Sequence, residues 1–80
     1  MNLTDLDTFI RVTECGSFTA AARLLGVPKS TVSRRVARLE QQLGLQLLQR
    51  TARAFSLTDH GRTLCNRCAP ALREIVDVER

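Results

Sequence analysis

The sequence predicts a mainly α fold, a winged helix-turn-helix followed by a long C-terminal helix. Three observations carry that prediction. Residues 17–43 read as a short helix, a tight turn at Gly26-Val27-Pro28, and a longer helix with two unlike faces. Residues 50–57 have the character of two short strands, and residues 59–79 carry an apolar stripe at helical spacing.

The first helix is expected over residues 3–14. Leu3, Leu6, Phe9, Ile10 and Thr13 recur at spacings of three and four and form a packing stripe, which leaves Asp5, Asp7, Arg11 and Glu14 facing outward. Asp5 and Asp7 also lie near the positive end of that helix, where acidic groups are favoured. Cys15-Gly16 ends it, and Ser17 is a good N-cap for the next. Phe18, Ala21, Ala22 and Leu25 then make a narrow apolar edge, with alanines small enough for two helices to cross closely. Gly26 supplies the turn. Pro28 suits the start of the following helix, because its missing N–H is not needed there.

At about 100° per residue, Val32, Val36, Leu39 and Leu43 fall on one side of the longer helix, and Ser30, Ser33, Arg34, Ala37, Arg38 and Gln41 on the other. The first side packs. The second carries small hydroxyls, two arginines and no carboxylate, the chemistry wanted by a helix entering the major groove of DNA. Lys29 and the unpaired N–H groups of the first turn would likewise point toward an anion. Arg34, Arg35 and Arg38 alone would suit an ordinary solvated face. The short helix and turn ahead of them favour DNA.

Gly44 stops this helix, and Leu45, Leu47 and Leu48 continue the core on irregular spacing. Arg50-Thr51-Ala52-Arg53-Ala54-Phe55-Ser56-Leu57 reads as a hairpin with its tip near Arg53, placed to follow a minor groove or a phosphate chain. Thr58 is the next N-cap, and a helix extends from Asp59 to about Glu79. Leu64, Cys65, Cys68, Leu72, Ile75 and Val76 form its apolar stripe, expected to lie exposed beyond the compact domain. Leu64, Cys68, Leu72 and Ile75 are therefore the expected dimer contacts with a second copy. Pro70 falls inside this helix and is expected to kink it.

Eighty residues allow one small domain with a thin core. A hydrophobic content of 44% with 25% charged residues is globular, and no apolar run approaches a membrane span. Without a signal peptide at the N-terminus, a cytoplasmic location is expected. Net charge is +4, yet residues 23–53 hold seven basic groups against Glu40 alone. Such a field draws a polyanion to one face. Cys65 and Cys68 form a C-x-x-C, but no further cysteine pair or nearby histidine completes a tetrahedral metal site, so no metal or cofactor is expected. The only histidine, His60, has no evident nucleophile partner, and no phosphate-binding glycine loop is present, which argues against an enzyme. The rival reading is a helix-mediated protein-interaction module that does not bind specific DNA.

The combination of G-S-F-T-A-A-A-R-L-L-G-V at 16–27, T-V-S-R-R-V at 31–36, L-E-Q-Q-L-G at 39–44 and L-T-D-H-G at 57–61 resembles the N-terminal DNA-binding region of LysR-type transcriptional regulators. The resemblance covers nearly the whole chain. It implies a winged helix-turn-helix over residues 1–58 and, over residues 59–80, a linker helix that dimerises antiparallel with its partner. It also implies binding to partly palindromic double-stranded promoter DNA. The matching contact positions are Lys29, Ser30, Thr31, Ser33, Arg34 and Arg38 on the recognition helix and Arg50 and Arg53 on the wing. Ala52 and Ala54 stand where the family commonly has a glycine and a basic residue. Complete relatives carry a C-terminal effector-binding domain, so a small-molecule inducer, and any oligomer above a dimer, is expected only with that further domain.

Overall fold

Four helices and one β-bridge make up the described residues, 1–49 and 55–79 of a computed structural model, with side chains described as far as residue 75. The helices are α1 (Leu3–Cys15), α2 (Phe18–Leu25), α3 (Lys29–Leu43) and α4 (Asp59–Glu79). The fold is mainly α, with α2 and α3 as the helix-turn-helix and residues 47–49 and 55–58 pairing at the base of the wing.

Local chemistry sets most of the helix ends. Ser17 Oγ accepts the Ala20 N–H at 3.2 Å, and Gly16, Gly26 and Gly44 close α1, α2 and α3 in the left-handed region, where an L side chain would be strained. Thr58 caps α4 by accepting the Gly61 N–H at 3.0 Å. Asn2 caps α1, its side-chain oxygen accepting from Thr4 and Asp5 N–H. Pro28 precedes α3 with extended ψ, and its carbonyl accepts from Thr31 and Val32.

The core joins Leu6, Phe9, Ile10 and Val12 of α1 to Ala21 and Ala22 of α2, Val32, Val36 and Leu39 of α3, and Leu47 and Leu48 beyond it. α1 packs on all three other helices, so its buried surface is wider than a single stripe. This accounts for two departures from the expected pattern. Val12 and Thr8 are buried outside the stripe, and Asp5, expected to face solvent, is fully covered because α3 lies over it. Leu3, expected in the stripe, is 56% exposed at the free end of the helix, and Leu45 is 39% exposed in the turn after Gly44.

Glu40 organises the chain's exit from α3. Its carboxylate accepts the Leu47 N–H at 2.8 Å and the Leu48 N–H at 3.3 Å, which gives two buried backbone donors an acceptor. Leu48 then bridges Leu57 in antiparallel fashion, Gln49 N–H donates to Ser56 at 3.0 Å, and Phe55 meets Phe18 edge-on with ring centroids 6.4 Å apart. Pairing thus begins two residues before the expected strand. The expected wing tip, including Arg50, Ala52, Arg53 and Ala54, lies outside the described residues.

The inner face of α4 closes the core instead of standing clear of it. Leu64, Cys65, Cys68, Ala69 and Leu72 are half-buried against the core cluster. The expected exposed stripe therefore shrinks to Ile75, 46% exposed, among the described side chains of its four principal residues. The reason is the close seating of the first turn. A Cβ at Gly61 would stand 2.1 Å from the Leu47 carbonyl oxygen, so only glycine lets α4 approach this near. Arg73 reaches Glu14 of α1 at 3.0 Å and ties the helix down two turns later than Cys65. α4 continues through Pro70, which is solvent-exposed. Cys15, Cys65 and Cys68 are free thiols, and burial pushes the Cys65 thiol up, away from its reactive thiolate.

Candidate nucleic-acid interface

The two faces of α3 separate as its sequence dictates. Val32, Val36 and Leu39 are fully buried, whereas Lys29, Ser30, Ser33, Arg34, Ala37, Arg38 and Gln41 are exposed and Thr31 is half-buried. Six of the eight expected contact residues thus lie on one helix, with no carboxylate on its outer face before Glu40. The other two, Arg50 and Arg53, lie outside the described residues.

The start of α3 is built differently from that of α1, α2 or α4. Asn2, Ser17 and Thr58 cap those helices with side-chain oxygens, but no side chain caps α3. Pro28 has no hydroxyl or carboxylate to offer, so the N–H groups of Lys29 and Ser30 are left for an external acceptor. With the helix dipole and the Lys29 ammonium beside them, they favour an anion.

The three arginines of α3 have three different circumstances. Arg34 is exposed and has no side-chain partner among the described residues. Arg35 is half-buried and donates from Nη1 to the Thr8 hydroxyl at 3.3 Å, while that hydroxyl donates to the Thr4 carbonyl at 2.8 Å. Arg38 makes a two-point fork on Asp5, Nε to Oδ2 and Nη2 to Oδ1, each at 2.7 Å. Its side chain is 46% exposed, but that of Asp5 is wholly covered.

The hydrogen bond from Arg38 holds the Asp5 carboxyl below its ordinary value; burial opposes this, and the charges of Arg38 and Arg35 add to it. Because Asp5 pairs with Arg38 and Thr8 with Arg35, rising positions on α1 meet falling positions on α3. The two helices are therefore clamped with opposed polarity.

Asp5 is the site residue that sequence reasoning missed. A signal for it exists. Asp5, Thr8 and Val12 fall at i, i+3 and i+7, a second stripe beside the apolar one, and Arg35 and Arg38 are likewise three apart on α3.

Comparison with known proteins gives this interface a family. The sequence profile of the bacterial regulatory helix-turn-helix protein, lysR family, matches residues 3–62. The chain belongs to the LysR family. An HTH-type transcriptional repressor of Pseudomonas aeruginosa strain UCBPP-PA14 is 48% identical over 77 residues, 96% of this chain and 24% of that protein. The regulator CrgA of Neisseria meningitidis serogroup B is 44% identical over 78 residues, 98% of this chain and 26% of that protein.

Among solved structures, full-length AphB, the virulence activator of Vibrio cholerae, superposes with a TM-score of 0.92 at 37% identity, covering 99% of this chain and 27% of that one. The BenM DBD in complex with benA site 1 DNA superposes at 0.91 with 33% identity, covering 98% of this chain and 88% of that one. The chain spans about a quarter of the length of the curated LysR relatives it matches. It is a LysR-family helix-turn-helix DNA-binding domain, and such domains are not enzymes. No described helix is long and apolar enough to cross a membrane.

Proposed function

We propose that this domain recognises promoter DNA in a sequence-specific manner, as the reading module of a LysR-type transcriptional regulator. The observation that carries the reading is α3 itself. Its inner face is sealed into the core, and its outer face offers Ser30, Ser33, Arg34 and an uncapped, cationic N-terminus to a ligand. The likeness to the BenM DBD, solved on DNA, supports the same use here.

In this reading Ser33 and Arg34 meet base edges in the major groove. Lys29, Ser30 and Thr31 hold phosphates at the helix start, Arg38 holds a phosphate farther along the helix, and Arg50 and Arg53 position the wing on the backbone or minor groove. Residues 1–58 form the DNA-binding unit. Residues 59–80 join two copies, so that two recognition helices meet two half-sites.

The test begins with selection of duplexes from a randomised library by the wild-type domain. The enriched duplex and an unrelated one are then titrated with wild type and Arg34→Ala at one salt concentration. Loss of about 1–3 kcal/mol on the enriched duplex, with an unchanged melting temperature, is expected for a lost base contact. Equal affinities of the two proteins for that duplex would reject the assignment.

A further inference from the structure

The Asp5–Arg38 fork places an acidic group directly behind a face that must attract a polyanion. Simple charge accounting makes this a handicap, because Asp5 offsets one of the cations on the recognition helix. Packing does not require it either, since a small apolar side chain would fill a covered position without desolvating a charge. What Asp5 does uniquely is geometric. It engages Nε and one N–H of Nη2, so the long Arg38 side chain is held in a single orientation. The guanidinium has five N–H donors, and the remaining three, including the parallel pair at its far end, have no acceptor among the described residues. The side chain as a whole is 46% exposed.

Arg38 lies nine residues after Lys29, roughly 13 Å along the helix axis. With Ser33 and Arg34 at the base edges, a group one turn farther along the helix meets the wall of the groove, where the phosphates are.

We propose that Asp5 is a positioning residue for DNA recognition, presetting Arg38 as a fixed phosphate clamp that discriminates correctly docked DNA from loosely bound DNA. This rests on the promoter-recognition reading above. In a docked complex the phosphate arrives where the preset donors already point, and no side-chain ordering is needed at that moment. On unrelated DNA the protein makes no fixed docking, and a tethered Arg38 is no better than a free one. Asp5 thereby reduces general attraction and favours specific attraction. Arg34, without a protein partner among the described residues, stays adaptable for reading bases.

The experiment measures affinity for the library-enriched duplex and for an unrelated duplex, with wild type, Asp5→Asn, Arg38→Ala and the double variant. Temperatures are kept below each protein's melting transition. Asp5→Asn is expected to bind the enriched duplex about fivefold more weakly, the scale of ordering one long side chain. Its affinity for unrelated DNA should hold or rise, because a full cation has been released. In the Arg38→Ala background, Asp5→Asn should leave the ratio of the two affinities unchanged.

Changes of equal size on both duplexes, in either direction, would overturn the proposal, since charge alone or a general loss of fold produces that pattern. An Asp5→Asn effect on the ratio that persists without Arg38 would overturn it too. Should Asp5→Asn show no cooperative melt, Arg38→Lys decides the matter. It keeps the charge and cannot make the two-point fork, so a fall in the ratio supports the clamp and an unchanged ratio rejects it. A wild type without preference for any duplex would instead bring down the promoter-recognition reading, and this proposal with it.

Discussion

Asp5 tolerates complete burial only because Arg38 meets both of its oxygens, and this gives the domain a specific response to acid. The carboxyl is held below its ordinary value of 3.8, first by the Arg38 hydrogen bond and then by the charges of Arg38 and Arg35, against the opposing effect of burial. A depressed folded-state value means that the unfolded chain takes up its proton first as pH falls. The stabilisation is therefore fully present above the ordinary carboxylate range and is lost as pH drops through the folded value. Asp5→Asn is expected to melt at a lower temperature than wild type at pH 7, with the gap narrowing below about pH 4. Thermal melts of both proteins from pH 7 to pH 2.5 check this, and a gap that stays constant to the lowest pH would contradict it.

Among the elements, the junction between the wing base and α4 has the least room. The Leu47 carbonyl accepts from Thr58 at 3.0 Å and stands 2.1 Å from where a Cβ at Gly61 would be. Gly61→Ala forces backbone to move, and overpacking of this kind costs about 1–3 kcal/mol. Denaturant unfolding should show that loss; a stability equal to wild type would mean that α4 seats differently.

The same junction shows what the sequence could and could not convey. Ser17, Gly26, Gly44 and Thr58 were legible as stops and caps because each acts within four residues of itself. The buried side of α3 was legible from periodicity. The seating of Leu64, Cys68 and Leu72 on the core was not, because an apolar stripe looks alike whether its cover is the same chain or another. The burial of Asp5 was also hidden. Its partner lies 33 residues away, and near a helix start a carboxylate reads first as a favourable exposed charge.

At the scale of the whole molecule, seven basic groups in residues 23–53 face a single acid, and that acid, Glu40, is engaged with Leu47 and Leu48. On the proposed reading the basic side meets DNA and α4 is left for assembly. Since Leu72 is half-buried against the core, a charge placed there would disturb the monomer as well as a dimer. Ile75, 46% exposed three residues on, probes the dimer alone. Ile75→Glu is expected to leave the melting temperature of the monomer within a few degrees and to shift sedimentation toward monomer. It should also weaken binding to a two-half-site duplex more than to a single half-site. Equal sedimentation of the two proteins across a concentration series would place the contact elsewhere.

Methylation interference on the enriched duplex shows whether the outer face of α3 enters the major groove. Methyl groups on guanine N7 obstruct the major groove, and those on adenine N3 obstruct the minor groove. N7 methylation at a few guanines in each half-site is expected to block wild-type binding. Arg34→Ala is expected to become insensitive to methylation at one of those guanines while remaining sensitive at the others. Interference confined to adenine N3, or an N7 pattern identical for wild type and Arg34→Ala, would contradict it.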